Sequence, residues 1–418
     1  MFDLTKKFNF FSFVGAFILM YNPPLAGINF MHVVGFISLI CCCRRFDKKL
    51  NDDDLFLISI FSIEFIFLLL VSFYYGTGIK NAAVPIYFLV DFIPFSIYLR
   101  HHCEDNNITS DDVLDFVIFV GLIQSALALL SFFFQPVQLF FIQRLIAYGY
   151  TDEILKFSAY RMFGFASTLT FAMPVLQTIL SMIAIRKAME GKWIYIVYAF
   201  FLFASGLVNA RTSIVVLLIG IIVLALFSRI SLVKKIFFVS VFFLLGIFTI
   251  SILLPYLDEW NHVTYLWLNK GFDDIEGIVL QGNDSYWTSE EKNQLPDGII
   301  SKIFGVGHKT TGMTLKYGYA SDVGYINIMW LGGIVYMMLI SICYGKICIK
   351  LFFSKHSIFS FIGLLLLVVL VVVNVKGLIL TMNGVTFLAV LLFLLEEKSG
   401  LNTQNGFTKV TIWKKNSL

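Results

Sequence analysis

The chain has 418 residues, of which 58% are hydrophobic and 14% charged, with a formal net charge of +4. Soluble domains carry roughly 25% charged residues, so the composition excludes an ordinary water-soluble enzyme. No basic stripe is large enough to serve as a nucleic-acid footprint.

The 46 phenylalanines would be an aggregation hazard on a wet surface but suit acyl chains. In hydrocarbon every backbone polar group must be paired internally, which leaves helices or a closed barrel. The apolar runs are continuous rather than alternating and roughly 14 to 22 residues long, which selects helices. The fold class is all-α: a polytopic integral membrane protein forming a single membrane domain over 1–418.

In chain order, Lys6 and Lys7 followed by Phe8 to Tyr21 imitate a signal peptide. Asn22-Pro23-Pro24 stands where a small-residue cleavage site belongs, so the segment is read as a retained first span. Hydropathy then predicts about 12 transmembrane helices, at 8–21, 25–43, 55–75, 82–99, 113–134, 165–185, 193–208, 212–227, 236–254, 323–342, 358–375 and 379–395. Lys and Arg favour the cytoplasmic side of a membrane. With the N-terminus inside, that side collects Lys6, Lys7, Arg44, Arg45, Lys48, Lys49, Arg100, Arg186, Lys187, Lys192, Arg229, Lys234, Lys235, Lys346, Lys350 and Lys355, and the tail adds more. The short loops opposite hold only Lys80, Arg211 and Lys376. Both termini are thereby expected in the cytoplasm. Two long loops, 135–164 and 255–322, then face outward. The six cysteines fall at or near cytoplasmic span ends and leave both outer loops without a thiol, so no disulfide framework is implied.

The interval 255–322 is polar in an otherwise apolar chain, and a loop that only reconnects two spans needs few residues. It carries Trp260, Trp267, Tyr286, Trp287 and the run Gly305-Val306-Gly307-His308-Lys309, and it leaves through Ser321-Asp322-Val323-Gly324. Its aromatics could stack on sugar rings, although Trp and Tyr belts are normal at membrane surfaces. Three outward cations stand out: Arg161 at the end of the first outer loop, Arg211 in the turn Asn209-Ala210-Arg211-Thr212-Ser213, and Lys376 in the last outward turn. Arginine suits a diphosphate because its planar fork pairs two oxygens under a permanent charge; the bland alternative is snorkelling at a helix end.

Asp322 and His308 are the acid–base candidates. For Asp322 the alternative is an N-cap on the span that follows, and for His308 an ordinary exposed histidine on a Gly-rich turn. Glu64 and Asp91 lie mid-span, where an ionisable group is a functional hypothesis by default. As two isolated acids they make no proton relay, and a structural role is equally open. His101-His102-Cys103-Glu104 has metal-ligand residue types, but adjacent positions cannot all face one ion, and the cluster is read as a solvated turn. No metal or nucleotide motif occurs, and no cofactor is expected.

With these residues placed, the chain resembles the Wzy-type O-antigen polymerases, in a superfamily shared with the O-antigen ligases. The likeness is in architecture over nearly the whole length and in three segments. Arg161-Met162-Phe163-Gly164 is similar to an arginine-then-glycine element that opens a span after an outer loop. Ala204 to Ser213, with Ser205 and Arg211, is similar to a Ser/Arg turn before an apolar helix. Gly305-Val306-Gly307, Ser321-Asp322-Val323-Gly324-Tyr325 and Gly332-Gly333 resemble the exit from the large periplasmic loop. The ligase pattern fits in frame through Gly333 to Tyr336, but Asp322 and Val323 stand where its histidine and polar neighbour belong. The arginine-to-glycine spacing described for some polymerases is absent after Arg144, Arg161 and Arg211.

The resemblance implies a GT-C-like glycosyltransferase of the bacterial inner membrane, acting in lipopolysaccharide O-antigen biosynthesis. It would join undecaprenyl-diphosphate-linked oligosaccharides at the periplasmic face, with membrane lipid and a chain-length regulator as partners. In that scheme Arg161 and Arg211, with Lys376, bind the diphosphate, and Asp322 or His308 is catalytic. The competing expectations are an O-antigen ligase and a lipid-linked oligosaccharide flippase. A flippase predicts internal repeats and a charged central cavity, and the chain shows few charges within its spans.

Overall fold

The computed structural model describes residues 7–25, 29–44, 50–149, 161–167, 171–227, 230–260, 266, 294–309, 321 and 323–396. In chain order the helices are α1 (Phe10–Tyr21), α2 (Phe30–Cys43), α3 (Asp52–Tyr75), α4 (Val84–Tyr87), a π-helical turn (Phe88–Phe92), α5 (Ile93–Asp105), α6 (Ser110–Phe133) and α7 (Gln135–Ala147). They continue as α8 (Ala172–Met189), α9 (Ile194–Leu207), α10 (Thr212–Phe227), α11 (Leu232–Trp260), α12 (Ile299–Phe304), α13 (Gly324–Phe352), α14 (Ser357–Val373) and α15 (Gly384–Leu395). The described residues contain no strand. Helices α3, α6 and α13 are long and apolar enough to cross a membrane, while α1, α2, α9, α10, α14 and α15 are apolar but shorter.

Two helices are buried on every side. Every residue of α15 is buried, as is every residue of α8 from Met173 to Met189. They pack on each other, and the remaining helices surround them. The surrounding helices turn large apolar side chains outward: Phe36 and Ile40 on α2, Leu70 and Phe73 on α3, Leu218 and Ile222 on α10, Leu244 and Ile247 on α11. Such faces suit lipid and would be a liability in water.

Polar residues mark the helix starts. The side-chain oxygens of Asn9, Asn29, Asn51, Thr109 and Asn383 each accept a backbone amide of the helix that follows, which satisfies donors that a helix start leaves free. Capping also moves boundaries away from those that hydropathy suggests. Residues 374–383 are buried or half-buried except Val375 and are not helical, and α15 starts only at Gly384, behind the Asn383 cap. Likewise α8 starts at Ala172, α11 extends to Trp260, and Gln135–Ala147 within the interval 135–164 is helical, with Pro136 in its first turn.

One helix is broken. At Gly333 in α13 the backbone leaves helical geometry (φ 64°, ψ −160°), a left-handed φ that side chains other than glycine rarely adopt. The segment Gly305-Val306-Gly307 fills the break. The Val306 amide donates to the Trp330 carbonyl (2.8 Å) and the Gly307 amide to the Leu331 carbonyl (3.2 Å). The approach is backbone to backbone: a Cβ added at Gly305 would lie 2.5 Å from Gly332 Cα. The end of α3 holds the other side of this segment. Thr77 Oγ1 donates to the Gly307 carbonyl (3.0 Å), and the hydroxyls of Tyr75 and Ser301 are 3.1 Å apart. Two glycine motifs far apart in the sequence therefore form one joint.

The two ends of the bundle differ. Arg186, near the end of α8, donates to Ser357 at the start of α14 (2.7 Å), while Gly377, just past α14, packs against Phe171, just before α8. The end carrying Arg186 is rich in ion pairs. Arg100 makes a fork with Asp54 (2.6 and 2.9 Å), and both side chains are buried. Lys187, also buried, contacts Asp111 (2.7 Å) and Asp115. Lys192 meets Asp111 (2.6 Å), Lys7 meets Asp112 (2.8 Å), and Lys350 meets Asp53. Charge burial thus goes well beyond Glu64 and Asp91. His101-His102-Cys103-Glu104 is no solvated turn either: it lies on α5 with His101 and Cys103 buried, and His102 is 3.1 Å from the Lys7 carbonyl.

Gly305→Ala should lower the thermal midpoint of the detergent-solubilised protein, by a destabilisation of about 1–3 kcal/mol for an over-packed site. Gly345→Ala, where an added Cβ meets nothing within 4 Å, should leave it unchanged or raise it. Equal midpoints for the two variants would contradict the backbone joint.

Candidate functional site

The end of the bundle opposite the ion pairs gathers the three cations singled out in the sequence. Arg161 opens a segment whose next two residues, Met162 and Phe163, are buried. The Met162 amide donates to the Val208 carbonyl (3.3 Å), Gln124 Nε2 donates to the Phe163 carbonyl (2.6 Å), and the Ser167 amide donates to the Tyr21 carbonyl (3.1 Å). The first of these bonds seats Arg161 beside the turn that carries Arg211. That turn is fixed in its own right: Ser213 Oγ donates to the Pro174 carbonyl (3.4 Å) and Asn209 Nδ2 to Met173 Sδ (3.5 Å). Lys376 sits in the turn after α14, and the Gly377–Phe171 contact brings that turn to the start of α8, the same place that Ser213 touches. Arg161, Arg211 and Lys376 are all half-buried.

Irregular backbone supports this end, and its polar groups are satisfied by side chains, as burial requires. Asn374 Oδ1 accepts the Ile379 amide (3.2 Å), Asn383 Nδ2 donates to the Ile379 carbonyl (2.7 Å), and Thr386 Oγ1 donates to the Thr381 carbonyl (2.8 Å). The Asn374 carbonyl in turn accepts the Gly324 amide (2.9 Å), which ties the start of α13 to the Lys376 turn.

His308 differs from its expectation as an exposed histidine. It is buried, its ring stacked on Trp330 at 5.4 Å, and Trp330 Nε1 donates to the Gln294 carbonyl (2.9 Å). The part of the large loop at 294–309 is therefore packed into the bundle wall. Burial disfavours the imidazolium and holds the His308 pKa below the ordinary histidine value, against a weaker opposing backbone hydrogen bond. Asp322 lies outside the described residues. Its neighbours are fixed: Val323 occupies the cap position of α13, its amide donating to Ser321 Oγ (3.1 Å), and Asn327 Nδ2 donates to the Ser321 carbonyl (2.8 Å).

Lys309, to which the sequence alone assigned no role, joins this end. It lines a cavity of about 10 Å³ with Val84, Asn327, Tyr336 and Thr381, barely room for one water. Burial pushes its ammonium pKa down. Its only signal in the sequence was its place directly after Gly305-Val306-Gly307-His308. Among the described residues no group of three or more His, Cys, Asp or Glu side chains is arranged to hold a metal ion. Cations placed at one end of an apolar bundle can bind an anion and stabilise negative charge that develops on it.

Because the His308 pKa is lowered in the folded state, the unfolded chain takes up a proton first as the pH falls through about 6.5. Stability that His308 contributes above that value is then lost toward acid. The thermal midpoint of the wild-type chain should therefore fall more steeply than that of His308→Gln between about pH 7.5 and about pH 5; parallel slopes would mean that the buried imidazole accepts its proton freely. Comparison with protein-family models, curated proteins and solved structures gives no match for this chain, so its functional reading rests on its own residues.

Proposed function

We propose that the chain is an O-antigen polymerase of the bacterial inner membrane, joining undecaprenyl-diphosphate-linked oligosaccharide repeat units at the periplasmic face. The observation that carries this reading is the gathering of Arg161, Arg211 and Lys376 at one end of an apolar helical bundle. The opposite end holds the basic residues that are paired with carboxylates, as the cytoplasmic face of such a protein would. The proposal keeps the twelve spans, the GT-C-like architecture and the cytoplasmic termini expected from the sequence.

In the reaction a hydroxyl of the incoming repeat unit attacks the anomeric carbon of the growing chain. The bond from that carbon to the lipid diphosphate breaks, and the diphosphate leaves with the electron pair. Arg161 and Arg211 neutralise the charge that appears on it, with Lys376 as a third cation. A diphosphate so matched is a good leaving group without further help. Asp322 or His308 takes the acceptor proton in the reading from sequence. The substrates are lipids, so the exposed apolar faces of the bundle suit their entry from the side. A chain-length regulator would be the protein partner.

Arg211→Ala, expressed in a strain deleted for its own copy of this gene, should reduce surface polysaccharide to single repeat units while protein level stays normal. Removing one donor to a developing charge slows such reactions by about 10²- to 10³-fold. Arg211→Lys should recover short chains only, because a point charge replaces a fork. Normal chain length in Arg211→Ala sinks the polymerase assignment; intact polymer retained on the lipid carrier in the deletion strain points to a ligase instead.

A further inference from the structure

One titratable pair at the cation-bearing end has no part in this scheme. His32 lies in the first turn of α2, and Asp91 lies in the π-helical turn between α4 and α5. The His32 Nδ1 atom is 2.9 and 3.1 Å from the two Asp91 carboxylate oxygens. Asp91 is fully buried, whereas the His32 side chain is 41% exposed.

The hydrogen bonds fix the tautomer. The Met31 amide donates to Asn29 Oδ1 (3.2 Å), so it is the Asn29 Nδ2 group that faces His32 Nε2, at 3.1 Å. An amide NH₂ can only donate, and Nε2 therefore carries a lone pair. The ring proton is on Nδ1, donated to Asp91. Tyr87 stacks on the imidazole at 5.0 Å and sets its plane. Gly35 admits the close packing, since a Cβ there would lie 2.7 Å from Asp91 Cα. π-helical turns are frequent at functional sites.

A buried carboxylate orienting a part-exposed imidazole through Nδ1, with the Nε2 lone pair on the far side held only by the Asn29 amide, is the arrangement of a general base. A purely structural pair gains nothing from leaving the imidazole exposed. Tyr21, which accepts the Ser167 amide, ends α1 and is joined by a short link to Asn29, so the pair lies at the same end as Arg161.

We propose that His32 is the catalytic base for the acceptor hydroxyl and that Asp91 is its positioning residue, an inference that rests on the polymerase reading. The acceptor oxygen forms its bond to the anomeric carbon as the bond to diphosphate breaks. Its proton passes to His32 Nε2 in place of the Asn29 contact, and Asp91 stabilises the imidazolium until water takes the proton. His308, stacked inside the wall, and Asp322 need not move protons in this scheme.

The test uses full-length chain in the deletion strain, with the strain's own lipid-linked repeat units as substrate and the polysaccharide ladder as readout. His32→Gln should slow polymerisation by about 10²- to 10⁴-fold, with normal protein level and thermal midpoint. Asp91→Asn should slow it less, and the double variant should be no slower than His32→Gln, as for residues acting as one unit. Imidazole in the medium should restore chains to His32→Ala, which no structural role predicts. Separately, diethyl pyrocarbonate on the purified wild-type chain should carbethoxylate His32. Full-length chains from His32→Gln, no imidazole rescue, or an unlabelled His32 would each overturn the base. Absence of polymer from the wild-type chain itself overturns the polymerase reading, and the role of His32 with it.

Discussion

A helix opened inside an apolar bundle exposes carbonyls that water cannot reach, and each left unpaired costs about 1–3 kcal/mol. At Gly333 that penalty is met by the amides of Val306 and Gly307. Much else follows from this repair. The donors can come so near only because Gly305, Gly332 and Gly333 have no Cβ in the way. Seating them pulls His308 onto Trp330 and draws Lys309 into the wall beside Asn327 and Tyr336. The same rule governs residues 374–383, where Asn374, Asn383 and Thr386 replace the helical ladder with side-chain bonds. Both repairs lie toward the end of the bundle that carries the cations.

The opposite end is built on another principle. Helix starts attract negative charge, and α3 and α6 begin with Asp52, Asp53 and Asp54 and with Asp111 and Asp112. These carboxylates answer the basic residues that close neighbouring helices. Asp54 does two tasks at once, accepting the Asn51 amide of its own capping box and both arms of Arg100. Removing one partner from such a buried pair is expected to cost about 3–5 kcal/mol. This end is braced by charge, whereas the other is braced by backbone and amide groups.

Hydropathy made the all-helical class and most helix positions legible, because the lipid requirement acts on every residue of a span. It missed the helix Gln135–Ala147, whose mix of Gln, Arg and apolar residues reads as loop, and it extended a span through Ile379, which is buried but not helical. Apolarity reports burial, and burial is not helicity. The cations were legible one by one, since few Lys and Arg fall in the turns expected to face outward; their placement at one end of the bundle depends on the Met162–Val208 and Gly377–Phe171 contacts, which no local pattern contains. His308 was misplaced for the same reason: a Gly-rich turn reads as exposed until Trp330 is known to cover it. Asp91 read as isolated because its partner, His32, is 59 residues away in sequence.

In an uninterrupted α13 the carbonyls of Trp330 and Leu331 would accept the amides of Ile334 and Val335, four residues on. In the observed structure Val306 and Gly307 hold those acceptors. The glycine segment thus donates to the same pair of oxygens that a straight helix would use. Straightening the helix and unseating the glycine segment are consequently a single event. A pull on either is felt by the other, so the end of the large loop and the axis of a core helix are geared together.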